Sequence, residues 1–168
     1  MIYVRQLILF IFVLGVENIV FVDECGIDAS YQRNFARAKI GVRIHDTRCG
    51  KKYKRTNVIA ALWGKKHVAI QCYEHATNAL FFEDWFEFEL LAVMPKHTLI
   101  IMDNATFHRK KQLFNIAQRY GMYLLFLPPY SPDFNPIEQS WANLKHWLCD
   151  NIKRFSNFDW LLQAYFDY

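Results

Sequence analysis

Short apolar runs and longer amphipathic stretches divide the chain almost from end to end. Asn18 to Asp23 (NIVFVD) and Thr98 to Asp103 (TLIIMD) are continuous β-branched and aliphatic runs, and Met122 to Leu127 is a third. Runs of that kind suit strands covered on both faces. Lys39 to His45 and Asn57 to Trp63 form two more candidate strands, joined through a turn at Cys49 and Gly50, with His67 to Tyr73 as a third member of the meander. The loop from Cys25 to Asn34 separates them from the first run.

Helical spacing takes over between and after these runs. Thr77 is placed to N-cap a helix through about Met94, with Phe81, Trp85, Phe88 and Ala92 on one stripe and Glu83, Asp84 and Glu87 on another, and Pro95 ends it. Phe107 to Tyr120 reads as a helix closed by Gly121. Asn135 followed by Pro136 marks a further helix start, which puts Glu138 at the third helical position and buries Trp141, Leu144, Trp147 and Leu148. Asn157 caps a last helix through about Phe166, and Leu7 to Val16 is an apolar segment expected to pack on the core. Strands alternating with helices predict one α/β domain.

Composition agrees with that picture and narrows it. A chain of 168 residues, 53% hydrophobic and 17% aromatic, can bury a full core and is neither disordered nor membrane-spanning in pattern. The net charge of +4 is unevenly spread: nine Lys or Arg stand against the single acid Asp46 between Tyr31 and Thr56, while five acids and no Lys or Arg lie between Glu74 and Glu89. One face is expected to meet a polyanion. Cysteines 25, 49, 72 and 149 show no metal-finger or C-x-x-C spacing and read as reduced thiols of a cytoplasmic protein.

Candidate chemistry sits at the element ends. Asp23 and Asp103 each close an apolar run, and Glu138 opens a helix. Three carboxylates so placed suggest a site for a hard cation. Glu138 has a second reading, since N-x-x-E is a capping box in which the Glu only bonds the N-cap amide. His108, Arg109, Lys110 and Lys111 crowd a helix start, where the macrodipole disfavours cations, so an anion is expected there, either phosphate or a neighbouring acidic segment.

The segments VDE, MDNATFH and LPPYSPDFNPIEQSWANLK, with 34 residues between Asp103 and Glu138, resemble the catalytic domain of mariner-type transposases and their bacterial insertion-sequence relatives, in the DDE transposase/integrase superfamily. The resemblance covers roughly residues 17 to 150. It implies a ribonuclease H-like fold, a central mixed five-stranded sheet with helices on both faces, preceded here by a lead-in segment at 1–17. It also implies that Asp23, Asp103 and Glu138 are the catalytic, metal-binding acids, holding two Mg²⁺ or Mn²⁺ ions once DNA is bound. By the same resemblance Asn104 and His108 support Asp103. The chemistry implied is hydrolysis at transposon ends, then attack of the freed 3′-hydroxyl on target DNA, typically at TA.

Phosphate contacts are expected from Lys51, Lys52, Lys54, Arg55, Arg109, Lys110, Lys111 and Lys145. Partners implied are double-stranded DNA and a second copy of the chain, with the protein near the nucleoid of a bacterium. Relatives carry an N-terminal helix-turn-helix region with no counterpart before the first motif, so a separately encoded chain could supply it. A truncated, catalytically silent interference protein and a ribonuclease H-type nuclease are the alternatives.

Overall fold

The structure is a computed structural model, and it describes residues 2–28, 55–129, 131–155 and 157–167. Five strands form one mixed sheet: β1 (Ile19–Asp28), β2 (Arg55–Trp63), β3 (Lys66–Tyr73), β4 (Leu99–Met102) and β5 (Tyr123–Phe126), in the order β3-β2-β1-β4-β5. β1 pairs antiparallel with β2, and β2 with β3, whereas β1–β4 and β4–β5 are parallel. The expected strand at 39–45, the turn at Cys49 and the basic residues Lys51, Lys52 and Lys54 lie outside the described residues.

β1 differs from its expected form in a way that matters. It does not end at Asp23: antiparallel pairing with β2 carries it on to Asp28, opposite Arg55, so Cys25 to Asp28 are strand and not loop. The parallel pairing with β4, however, stops at Phe21 and Ile101. Asp23 therefore stands in mid-strand, just past the point where β1 parts from its parallel neighbour.

Side-chain alternation along β1 sends its residues to two different helix layers. Val20 and Val22, with Ile59, Ala61, Ile100, Met102 and Leu124, pack beneath α2 (Ala79–Asp84), its continuation to α3 (Leu91–Val93), and α4 (Lys110–Arg119). Cys25 and Ile27, with Val58, Ala60 and Leu62, pack beneath α5 (Pro136–Asn151) and α6 (Phe158–Phe166). α1 (Ile2–Leu14) covers Ile19, Leu99, Ile101 and Leu125 on the same side as α5, with Tyr3, Leu7, Phe10 and Leu14 turned inward and Ile8, Leu9, Phe12 and Val13 exposed. Among the described residues no helix is long and apolar enough to cross a membrane.

Two helices depart from their predicted register. The α2 N-cap is Asn78, whose side chain accepts from the Phe81 N–H at 3.0 Å, because Thr77 is engaged with the Tyr73 hydroxyl at 2.6 Å. From Trp85 to Leu90 the helix is π-helical, and the wider turn rotates the following residues. Phe82, Trp85, Phe86, Leu90 and Leu91 are buried, while Phe88 is 64% exposed, so the predicted Phe81, Trp85, Phe88 and Ala92 stripe holds only in part. The indole N–H of Trp85 donates to the Ala69 carbonyl at 2.7 Å, where a bulge in β3 sets Ala69 at φ 51°. α4 begins at Lys110 and not at Phe107, since His108 and the turn before it are folded back toward Asp103.

The π register has a measurable consequence. Phe86→Ala should cost about 3–5 kcal/mol, and Phe88→Ala should fall within about 0.5 kcal/mol of wild type, both read as shifts in urea midpoint. A plain α-helical register predicts a larger cost at Phe88.

Candidate functional site

Each of the three acids reaches the site by a different local device. Asp103 follows the last residue of β4, and its Oδ1 accepts the Ala105 N–H at 2.9 Å, which turns the chain sharply away from the sheet. Asp23 projects from β1 to the side covered by α5 and α1, between the apolar patches around Cys25 and Ile19. Glu138 is exposed in the first turn of α5, three residues after Asn135, and Pro136 presets the start of that helix. All three line one cavity of about 470 Å³, together with Asn104, Leu127, Pro128, Pro129 and Asn135. A cavity of about 520 Å³ between β3 and α6, lined by Cys72, Asp159 and Gln163, lies elsewhere.

Electrostatics in that cavity are dominated by Asp23. Burial, then the neighbouring Glu138 and Glu24 charges, push its carboxyl up to about 8, with Asp103 adding to the effect and the Glu24 backbone N–H opposing it. Its Oδ2 accepts the Trp141 indole N–H at 3.0 Å. Burial likewise raises the Cys25 thiol, against the pull of the Lys145 ammonium hydrogen-bonded to it, so Lys145 stands on the Asp23 side of β1.

The capping alternative for Glu138 is tested by Asn135. Its backbone carbonyl accepts the Glu138 N–H at 3.1 Å, but its side chain forms no cap hydrogen bond. Instead Asn135 is buried, its Nδ2 donates to the Val22 carbonyl at 3.5 Å, and its Oδ1 has no partner among the described residues. The reciprocal capping box is absent in its Asn half, and the Asn ties the helix start to the strand that bears Asp23.

Asn104 and His108, the residues expected to support Asp103, both lie beside it. The Asn104 side-chain N–H₂ donates to the Leu127 carbonyl, bridging the ends of β4 and β5, and its Oδ1 is buried without a partner among the described residues. His108 is buried between Phe82 and Phe107, with Nδ1 at 3.2 Å from the Asp103 carbonyl and 3.4 Å from its Oδ1. Its Nε2 lies 3.8 Å from Glu24 Oε1. Glu24 thus faces His108 and the α4 layer, on the side of β1 opposite Asp23, as strand alternation requires.

The cations are distributed less evenly than expected. Arg109 makes a two-point ion pair with Glu83, a residue 7% exposed, so the anion facing this cation is a carboxylate of the acidic helix and not a ligand. That hydrogen bond raises the already basic guanidinium. Glu83, placed by the sequence on a stripe with Asp84 and Glu87, is buried with that pair. Lys110 lies 4.9 Å above the Phe126 ring, next to the strand position paired with Met102, and Lys111 is exposed in the same turn. Arg55 is exposed at the start of β2 and lines a cavity of about 480 Å³ with Asn57, Glu74, Thr77 and Phe107.

Oxygen donors of this type suit a hard divalent cation, and a raised Asp23 is what clustered carboxylates show before a counter-charge arrives. No three His, Cys, Asp or Glu side chains among the described residues converge on a ready-made metal site, so side-chain rotation into the cavity would have to accompany binding. Trp141 and Asn135 were legible in the sequence only as a core residue and a cap. Their spacing from Glu138, three residues to either side, was the one available sign.

Comparison with known proteins places this geometry. The family described as DDE superfamily endonuclease matches residues 18–161. A Mos1 transposase paired-end complex with the left transposon end is 19% identical with a TM-score of 0.76, covering 97% of this chain and 52% of the other. The mariner Mos1 paired-end complex with Mg gives 18% and 0.75, over 98% and 52%. The isolated catalytic domain of Mos1 mariner transposase gives 16% and 0.64, over 97% and 76%. The chain spans about half the length of the full Mos1 chains it matches. The expected ribonuclease H-like fold is shown, with its mixed five-stranded sheet and helices on both faces.

The raised Asp23 carboxyl sets a pH dependence. With a folded value of about 8 against an ordinary 3.8, the fold holds a proton that the unfolded chain has lost, so the stabilisation is complete below about 4 and disappears as pH rises toward about 8. In EDTA, Asp23→Asn should gain stability relative to wild type between about pH 5 and pH 8.5, measured by urea denaturation. A constant difference across that range would show that Asp23 ionises normally.

Proposed function

The chain belongs to the DDE superfamily endonucleases, and from that premise we propose that it is a metal-dependent DNA transposase catalytic domain, with Asp23, Asp103 and Glu138 as the acids that hold Mg²⁺ or Mn²⁺. The observation that carries this reading is that those three acids, from a strand, the end of another strand and a helix far apart in sequence, line one cavity. When bound, a pair of such ions activates the attacking oxygen and stabilises the leaving oxygen of an in-line displacement at phosphorus. The two displacements in question are hydrolysis at the element's ends and joining of the 3′-hydroxyl to target DNA.

The chain's own residues supply position and charge. Asn104 and His108 orient Asp103 from behind, through Leu127 and through the ring nitrogen nearest its carboxylate. Lys110, Lys111 and Lys145 are assigned to phosphates, and Arg55 to the duplex flank along the Phe107 cavity. Arg109 is assigned to the Glu83 pair, with contact to DNA secondary. Double-stranded DNA and a second copy of the chain are the proposed partners, since two ends must be brought together for joining.

Incubation with Mn²⁺ and supercoiled DNA carrying the element's ends should give nicked product, lost in EDTA and reduced by about a hundredfold or more in Asp103→Asn, the scale on which removal of a preorganised electrostatic group is felt. Equal nicking by both proteins, or none by either, would refute catalysis by this chain. Lys110→Ala with Lys111→Ala should lower the slope of log affinity against log salt by about 0.9 for each phosphate that is no longer neutralised, measured by fluorescence anisotropy on duplex DNA.

A further inference from the structure

Trp141 lies one turn beyond Glu138 on α5, and its side chain reaches Asp23 across 118 residues of sequence. The indole is 2% exposed, and its N–H is directed at Asp23 Oδ2 with a donor–acceptor distance of 3.0 Å. From the other side the ring is stacked on His67 of β3, with centroids 5.5 Å apart and planes 24° apart. His67 is itself held: its Nε2 lies 2.9 Å from Ser140 Oγ, and Ser140 donates to the Ile137 carbonyl at 2.7 Å. The indole therefore has little freedom to turn away from the carboxylate.

We propose that Trp141 is a positioning residue for Asp23, fixing the carboxylate's orientation toward the cavity through the indole N–H while the same helix delivers Glu138. A Trp used only as core filler needs a partner for its N–H, but that partner is ordinarily a carbonyl. Here it is a carboxyl oxygen of a residue proposed to bind metal. The indole N–H fixes Oδ2, leaving the remaining lone pairs for a cation. The contact between Asn135 and the Val22 carbonyl acts on the same helix-strand junction one turn earlier. Together they set how far Glu138 stands from Asp23.

The inference rests on the assignment of Asp23 as a metal ligand, and its test separates the two. Mn²⁺ binding is measured directly, by the loss of the free-ion electron paramagnetic resonance signal beyond that caused by the DNA alone, on wild type, Trp141→Phe, Leu144→Ala and Asp23→Asn, each with a short DNA duplex bound. Trp141→Phe keeps an aromatic ring against His67 and removes the N–H, and it should weaken Mn²⁺ binding by about tenfold, the lower end for loss of a partner that orients a metal ligand. Leu144→Ala removes buried bulk from the same helix face without touching Asp23, and should lower the urea midpoint while leaving Mn²⁺ affinity within about twofold of wild type.

If Trp141→Phe fails to fold by circular dichroism, benzothienylalanine at position 141, an isostere without the N–H, takes its place with the same expectation. Wild-type affinity in the N–H-deleted protein overturns this inference alone. So does an equal loss in Leu144→Ala. Binding unchanged in Asp23→Asn, or absent from wild type, overturns the ligand assignment and this inference with it.

Discussion

A helix that brings one carboxylate up to a strand bearing another must be held there by something other than those carboxylates, because like charges in a half-buried cleft push apart. In this fold the hold is apolar first and polar second. Ile137, Trp141, Leu144 and Leu148 are buried against Cys25, Ile27, Val58 and Ala60, and that packing brings α5 to β1 regardless of what charge sits at its end. The polar links, Trp141 to Asp23 and Asn135 to Val22, then decide the rotation and height at which the helix meets the strand.

The sheet prepares the place for this meeting. β1 and β4 stay hydrogen-bonded for only three residue pairs, and β4 ends at Met102 while β1 runs on beside β2. Beyond Phe21 the β4 side of β1 therefore has no strand to pair with among the described residues, and the chain after Asp103 turns away under its own Asp103–Ala105 hydrogen bond. The opening lies between the layer formed by α1 and the layer formed by α5. The Asp23 carboxyl is desolvated beneath α5, whose Trp141 touches it, and burial is the largest cause of its raised pKa, with repulsion second.

Much of this is legible in the chain alone. Apolar runs locate β1, β2, β4 and β5, and the N-cap positions Asn135 and Asn157 locate α5 and α6, because an apolar run and a helix-start pattern are decided locally. What failed to show was decided by partners far away. The continuation of β1 through Asp28 is imposed by β2, and the π turn at Trp85–Leu90 accompanies a Trp85 bond to a bulge in β3. Glu83 shares an acidic stripe with Asp84 and Glu87 in sequence, and it is the pair with Arg109, 26 residues later, that explains its burial.

The site follows the same division. Asp103 and Asp23 are visible because an acid after an apolar strand is unusual chemistry for a core, while Glu138 is ambiguous because a helix start can use it locally. The Asn135 side chain makes no cap hydrogen bond and its Nδ2 donates to the Val22 carbonyl, so the start of α5 relies on Pro136, the backbone bond to Glu138 and the tertiary link. The first turn of a helix favours negative charge in any case, which lessens the penalty of setting Glu138 beside two other acids. Exposed at the favourable end of a helix dipole, Glu138 is the acid of the three with the most room to move, whereas the Asp23 carboxyl is held by the Trp141 N–H and that of Asp103 by the Ala105 N–H.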